Sequence, residues 1–366
     1  MYREEANPRL RGPLPGRIVV LRALQLGDLL CAVPAFRALR GAFPDAEIVL
    51  IGLPWARAFV GRYPQYLDGF REFPGYPGLP ERPPQLERIP GFLAEIRAER
   101  FDLAIQLHGS GPIVNPLTIA LGARQNAGFY LAGDECPDPL RFLPWPDRGL
   151  EIRRMLRLME FLGIPPRGEH LEFPVHAEDH RALHALEGFQ SLRPGEYACV
   201  HPGASVAERR WPPERFARVA EALVARGLRV VLTGTAAESE LTRAVARASA
   251  VPLLDLAGRT GLGALAALMQ GACLLVSNDT GVSHLVAALR VPSVIISTGD
   301  NPARWAPIDV RRHRVLCSDA GVSAGEVIAR VDDLRDDESI QADASAPTGG
   351  GTGARREHEA GAAFRG

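Results

Sequence analysis

An α/β protein with two doubly wound domains is what the sequence predicts, and three observations carry that prediction. Apolar runs such as RIVVL, ACLLVSN and PSVIIS are continuous instead of alternating, as expected of strands covered on both faces in a parallel sheet. These runs alternate with segments of helical period, the βα pattern of an α/β fold. The series stops after Ile164 and opens afresh at Tyr197, so 366 residues divide into two units of ordinary size, at roughly 100–200 residues per domain.

Residues 1–16 are rich in Pro, Arg and Gly without periodicity and read as a flexible leader. Arg17 to Leu24 reads as a buried strand, and the helix after it repeats Leu29, Leu30, Val33, Phe36 and Leu39 at helical spacing, with Gly27 and Asp28 at its start. Ala46 to Gly52 is the second strand. Pro, Gly, Arg and Glu dominate between Arg71 and Pro90, which predicts a long loop, and Phe101 to Gly109 returns to the sheet. A helix from Glu151 to Ile164 leads out of a first domain placed at 17–170, and 171–195 reads as a linker.

The second domain, 196–335, opens with the strand Tyr197 to Gly203 and runs through helices at Glu214 to Ala225, Glu238 to Ala248, Leu262 to Gln270 and Gly281 to Leu289. Its further strands are Leu228 to Gly234, the strand-like VPLLDL, Ala272 to Asn278, and Pro292 to Ser297. Residues 336–366 turn acidic and then Gly, Ala and Thr-rich, a composition that reads as a disordered tail.

Composition narrows the function classes. Hydrophobic residues make up 46% of the chain and charged residues 23%, which excludes a disordered or fibrous protein. Forty-two basic residues against 43 acidic ones leave a net charge of −1, so no bulk positive field recruits nucleic acid. Every fixed positive side chain is arginine, suited to bidentate contact with phosphate or carboxylate, but genomic base composition is the plainer and preferred cause of the missing lysine. The five cysteines form no C-x-x-C pair, which argues against a zinc site and for a reducing compartment. No signal-like run opens the sequence and no uncharged apolar stretch reaches the roughly 18 residues of a membrane span, so a soluble cytoplasmic protein is expected.

Four motifs stand where open α/β sheets bind ligands, just past strands. L-G-D, Leu26 to Asp28, offers a glycine for close backbone approach and a carboxylate that could serve as general base or as the cap of its helix. H-P-G-A-S, His201 to Ser205, could turn the backbone N–H groups of Gly203, Ala204 and Ser205 toward an anion, with Arg209 or Arg210 adding charge-assisted bonds; an ordinary loop with a core Trp211 is the plainer reading. S-N-D-T-G-V-S-H-L, Ser277 to Leu285, sets Thr280 and Gly281 at a helix N-terminus that favours phosphate, with Asp279 and His284 at the same edge, either as site groups or as a cap and a satisfied helix residue. G-T-A-A-E ends in Glu238, which could accept bonds from ribose hydroxyls or simply occupy a first helical turn. The predicted folded part has neither D-x-D nor H-E-x-x-H. GVSAG, Gly321 to Gly325, reads as a capping box of Ser323 with Glu326 and not as a hydrolase elbow.

Taken in order, RIVVLRALQLGDLLCAVPAFRALRGAFPDAEIVLIG, HPGAS with RRWPPERF, and SNDTGVSHLVAALRVPSVIIS resemble glycosyltransferase family 9, the heptosyltransferases of the lipopolysaccharide inner core. The resemblance implies the GT-B fold, two Rossmann-like domains facing an inter-domain cleft, with acceptor on the first and nucleotide sugar on the second. It places the family's base aspartate on Asp28, its phosphate-binding lysine on Arg209, its ribose-contacting glutamate on Glu238, and its D-T-G-x-x-H element on Asp279, Thr280, Gly281 and His284. Gly203, Ala204 and Ser205 join the donor side, and Gly27, Gln106 and His108 are expected on the acceptor side. The implied reaction is inverting transfer of a heptose or related sugar from a nucleotide-diphosphate sugar, ADP-heptose first among them, to a lipopolysaccharide-core or other glycan hydroxyl, with no cofactor and no metal. The implied location is cytoplasmic, with peripheral contact at the inner face of the cytoplasmic membrane. A nucleotide-sugar epimerase and a non-catalytic nucleotide-sugar-binding protein are the alternatives.

Overall fold

A computed structural model describes residues 9–10, 12–299, 301–318 and 321–337. The first domain runs β1 (Arg17–Leu21), α1 (Leu26–Ala42), β2 (Glu47–Gly52), α2 (Ala56–Val60), β3 (Gly69–Glu72), α3 (Ile89–Ala98), β4 (Leu103–Gln106), α4 (Val114–Ala120), β5 (Gln125–Tyr130), β6 (Phe142–Pro144) and α5 (Glu151–Phe161). After α6 (Ala177–His184) the second domain follows with β7 (Tyr197–His201), α7 (Pro213–Ala225), β8 (Arg229–Leu232), α8 (Ser239–Ala248), β9 (Leu254–Asp255) and α9 (Leu262–Gly271). It closes with β10 (Leu274–Asn278), α10 (Gly281–Ala288), β11 (Ser293–Ile296), α11 (Pro302–Trp305), β12 (His313–Leu316) and α12 (Ala324–Asp336).

The two sheets are built alike. Their orders, β3-β2-β1-β4-β5-β6 and β12-β11-β10-β7-β8-β9, are the same doubly wound order seen from opposite ends, and the strand pairs are parallel. Each has its switch point beside its first strand, β1 against β4 and β7 against β10, so both crevices open at the same kind of place. The continuous apolar runs have their cause here: Ile18 is flanked by Ile48 and Leu103, Val276 by Val200 and Val294, and these residues are buried from both faces.

Several boundaries differ from the sequence reading for physical reasons. The first strand stops at Leu21; the Arg22 N–H still donates to the Ile51 carbonyl at 3.0 Å, and its guanidinium turns to the Asp28 carbonyl and the Glu151 carboxylate. Helix α1 is buried nearly all round, Cys31, Ala32, Ala35 and Ala38 included, because α5 and α10 cover the sides the sheet leaves open. Of the leader, residues 1–8 and 11 lie outside the described residues; Leu10 is buried in the core and Arg9 stacks over the Phe161 ring at 3.8 Å. The linker is seated: α6 packs on α9, and its Asp179 takes a bidentate pair of bonds from Arg62 at 2.6 and 2.7 Å. The tail beyond residue 337 lies outside the described residues. All five cysteines are free, and no helix among the described residues is long and apolar enough to cross a membrane.

Candidate active site

A cleft of about 640 Å³ opens between the domains, lined by the turns that follow β1, β7, β8 and β10. On the first domain's side stand Gly27 and Asp28. Gln25, in extended conformation, occupies the cap position of α1, so Asp28 falls in the first helical turn; the capping role open to it in the sequence is not the one it takes. Its side chain is 22% exposed, and Nη2 of the buried Arg22 stands 3.7 Å from its Oδ1. Burial pushes the Asp28 carboxyl above the ordinary carboxylate range, with Arg22 pulling the other way and the Glu151 charge adding to the rise.

The second domain supplies the opposite wall. Past β7 the chain turns through Pro202 and Gly203, held there by Asn278, whose Nδ2 donates to the carbonyls of Pro202 at 2.7 Å and Gly203 at 3.3 Å while its Oδ1 accepts from the Trp211 N–H at 3.1 Å. A side chain on Gly203 would collide with the Glu238 carboxylate, so glycine is what lets that carboxylate lie over the turn. Glu238 accepts at Oε2 from the N–H of Thr235 at 2.7 Å and its hydroxyl at 2.9 Å, which fixes the carboxylate at the cleft edge. Ala204, Ser205 and Arg209 also line the cleft, and the Arg209 carbonyl is tied to the Thr298 hydroxyl at 2.7 Å.

Thr280, not Asp279, occupies the cap position of α10, and no side chain caps the helix, so its positive end faces the cleft. Asp279, Gly281 and His284 line the same wall. His284 is buried, which drives its pKa down to about 4 and keeps the ring neutral at pH 7, with Cys31 Sγ 3.6 Å from its Nδ1.

Gln106 and His108, expected on the acceptor side, lie behind the cleft and not on its wall. Gln106 is wholly buried and its amide is consumed by the loop it supports, donating to Gly109, Asn115 and Phe129 and accepting from the N–H groups of His108 and Gly109. His108 is buried as well, taking the Ala23 N–H at Nδ1 at 3.1 Å with Glu81 3.4 Å from Nε2. Both shape the backbone behind the cleft and neither lines it.

The sequence reading missed Arg22, Glu151, Arg304, Trp305, Asn278 and His201. Trp305 and His201 line the cleft, and the His201 ring lies 3.0 Å from the Thr233 hydroxyl. The available signal was an arginine directly after a buried strand, a position where a charge is costly unless it is paired. Among the described residues no three His, Cys, Asp or Glu side chains gather into a metal site.

Residues 92–325 match the model of glycosyltransferase family 9 (heptosyltransferase). Lipopolysaccharide heptosyltransferase 2 of Escherichia coli strain K12 is 25% identical over 313 residues, covering 80% of this chain and 85% of that protein. Lipopolysaccharide heptosyltransferase 1 of Escherichia coli O18:K1:H7 is 31% identical over 299 residues, 78% of this chain and 87% of its own length. The solved structure of the E. coli ADP-heptose lipopolysaccharide heptosyltransferase II superposes with a TM-score of 0.71 at 21% identity, over 89% of this chain and 99% of that one, and so shares the two-domain GT-B fold. With the family matched over well more than half its length, the chain belongs to glycosyltransferase family 9, the heptosyltransferases.

Proposed function

We propose that this cleft transfers a heptose from ADP-heptose to a hydroxyl of a lipopolysaccharide-core or related glycan acceptor, with inversion and with Asp28 as general base. The observation that carries the reading is the placement of a partly exposed carboxylate of raised proton affinity opposite the uncapped end of α10 within one cleft. The names of the relatives supply the sugar and the nucleotide.

In the proposed step the acceptor oxygen forms a bond to the anomeric carbon while its proton passes to Asp28. The bond from that carbon to the diphosphate breaks on the opposite face, and the electron pair leaves with ADP. Negative charge growing on the diphosphate meets the N-terminus of α10 and the Arg209 guanidinium, and Glu238 beside Gly203 is placed to accept from ribose hydroxyls. Asp279 and His284 complete the donor wall, and Ala204 and Ser205 present backbone to the phosphates. Arginine at the lysine position keeps the charge and presents a planar fork in place of a point charge. The acceptor lies toward Gly27, and a lipid-linked acceptor brings the protein to the inner face of the cytoplasmic membrane.

The test is thermal stabilisation by a panel of nucleoside diphosphates, followed by product analysis. A ligand at about 100 times its Kd adds about 2.7 kcal/mol. Preference for ADP and formation of an inverted heptoside that is lost in Asp28→Asn are the expected results. Conversion of the donor without any acceptor would make the protein an epimerase, and no response to any nucleotide would overturn the reading.

A further inference from the structure

Glu151 is among the most buried carboxylates of the molecule, 2% exposed, and three arginines from three different segments converge on it. Arg22 reaches Oε1 from the end of β1 at 3.3 Å, Arg154 binds Oε2 from one turn along α5, and Arg304 reaches the same oxygen from α11 at 3.0 Å. Arg304 belongs to the second domain and Glu151 to the first, so this ion pair crosses the cleft. Stacking reinforces the crossing: Arg154 and Arg304 both lie over the Trp145 ring, at 4.5 and 5.8 Å, and Arg304 covers Trp305 at 4.4 Å.

Arg22 is the shared member. Its Nε donates to the Asp28 carbonyl at 2.8 Å, its Nη1 to the Leu107 carbonyl, and its Nη2 stands between two carboxylates, 3.3 Å from Glu151 and 3.7 Å from Asp28. A guanidinium closing fully on Asp28 would form a short fork-to-fork pair and leave a carboxylate with little appetite for a proton. Glu151 competes for that guanidinium and keeps it at arm's length from the base. We propose that Glu151 is the positioning residue of the transfer reaction: it draws Arg22 off Asp28, and by receiving Arg304 from the opposite domain it ties the strength of the base to closure of the cleft.

Among the described residues, Asp279 shares the cleft with Asp28, and the Cys31 thiol, one turn along α1, is kept protonated by burial. Arg22 stands at the end of β1, Glu151 on α5 and Arg304 on α11, while His284 on α10 is kept neutral by burial. Glu151→Gln therefore lets Arg22 settle on Asp28 and weakens the base; Arg304→Gln frees Glu151 to pull harder on Arg22 and strengthens it.

The inference rests on Asp28 being the base, and the experiment separates the two. The dependence of kcat on pH is measured for the wild type, Asp28→Asn, Glu151→Gln and Arg304→Gln, with thermal unfolding and ADP binding as folding controls. Glu151→Gln is expected to move the acidic limb to lower pH by about one unit and to lower plateau kcat about tenfold, with the donor KM within about twofold. Arg304→Gln is expected to move the limb to higher pH. Limbs that stay where they are, or that move in the same direction, overturn the inference, because a merely structural knot predicts loss of enzyme without opposite displacements. If Glu151→Gln does not fold, Arg304→Gln decides alone: an upward limb supports the inference and an unmoved one ends it. Wild-type transfer by Asp28→Asn would instead overturn the base assignment itself.

Discussion

A β-carbon on Gly27 would lie 2.8 Å from Cδ2 of His284, although the two residues belong to opposite domains. His284 has little room to retreat, since it is buried with Cys31 beside Nδ1 and Trp305 edge-on at 6.1 Å. Gly27→Ala is therefore expected to hold the domains apart while leaving each sheet intact. A displacement of the order of 1 Å at the reacting groups costs about 100-fold, so kcat should fall by roughly that factor with the melting temperature nearly unchanged. Steady-state kinetics beside thermal melts check this, and a fully active variant would show that the cleft works without this contact.

Asn278 joins two turns of the cleft wall that the proposed reaction needs in register. In Asn278→Ala the Trp211 N–H and the carbonyls of Pro202 and Gly203 lose their buried partner, at a cost of about 1–3 kcal/mol. Urea unfolding should show that loss together with weakened ADP binding, because the Gly203 turn then drifts from the Glu238 carboxylate. Asn278→Asp keeps the acceptor for Trp211 but sets a carboxylate against two carbonyls, so it should not rescue.

Glu238 predicts a selective defect. If its carboxylate reads ribose hydroxyls, Glu238→Ala raises the Kd for ADP by about tenfold or more, the worth of a hydrogen bond to a charged group. The decisive measurement is calorimetric titration with ADP and with its ribose-deoxygenated analogues: the wild type should prefer ADP and the variant should bind both alike. Equal discrimination in both proteins would remove Glu238 from the ribose.

Two of the buried histidines, His284 and His313, make the fold acid-sensitive. Burial lowers His284 and His313 from 6.5 to about 4, with the Ser293 hydroxyl 2.8 Å from Nδ1 of His313. Between those pH values the unfolded chain binds more protons than the native one, so stability is full above about 6.5 and falls as pH drops toward about 4. Each histidine contributes roughly 2–3 kcal/mol to that decline, from about 1.4 kcal/mol per pKa unit. Denaturant midpoints measured from pH 7 to pH 4.5 should drop less steeply in His313→Gln than in the wild type.

Much of the fold is written in local pattern. RIVVL, YACVH and LLVSN carry their apolar residues in succession instead of in alternation because a parallel sheet buries both their faces, and that places the first strand of each domain and the ligand edges beyond them. The short edge strands Gly69–Glu72 and Phe142–Pro144 carry no such run, and neighbouring backbone alone makes them strands. The second-domain wall of the cleft is legible for the same reason, since Gly203, Glu238 and Thr280 follow strands in sequence. Gln106 and His108 also follow a strand yet turn inward: the Gln106 amide bonds Gly109 and Asn115 of the loop, and the His108 ring takes the Ala23 N–H with Glu81 on its other side. Arg22, Glu151 and Arg304 could not be joined from sequence: separations of 129 and 153 residues collapse to one carboxylate only in three dimensions.

The meeting of α1 and α10 through Gly27 and Gly281 has a kinetic consequence. Two helices point their positive ends into one crevice, and a Cβ on Gly281 would sit 3.3 Å from the Gly27 nitrogen. Like ends repel, so an anion lodged between them acts as an electrostatic rivet, and closure and anion affinity strengthen each other reciprocally. On the proposed reaction the departing nucleotide carries more negative charge than the sugar nucleotide that entered. The cleft then grips its spent nucleotide harder than the sugar nucleotide, and raised ionic strength, by screening that grip, is expected to speed release of the nucleotide.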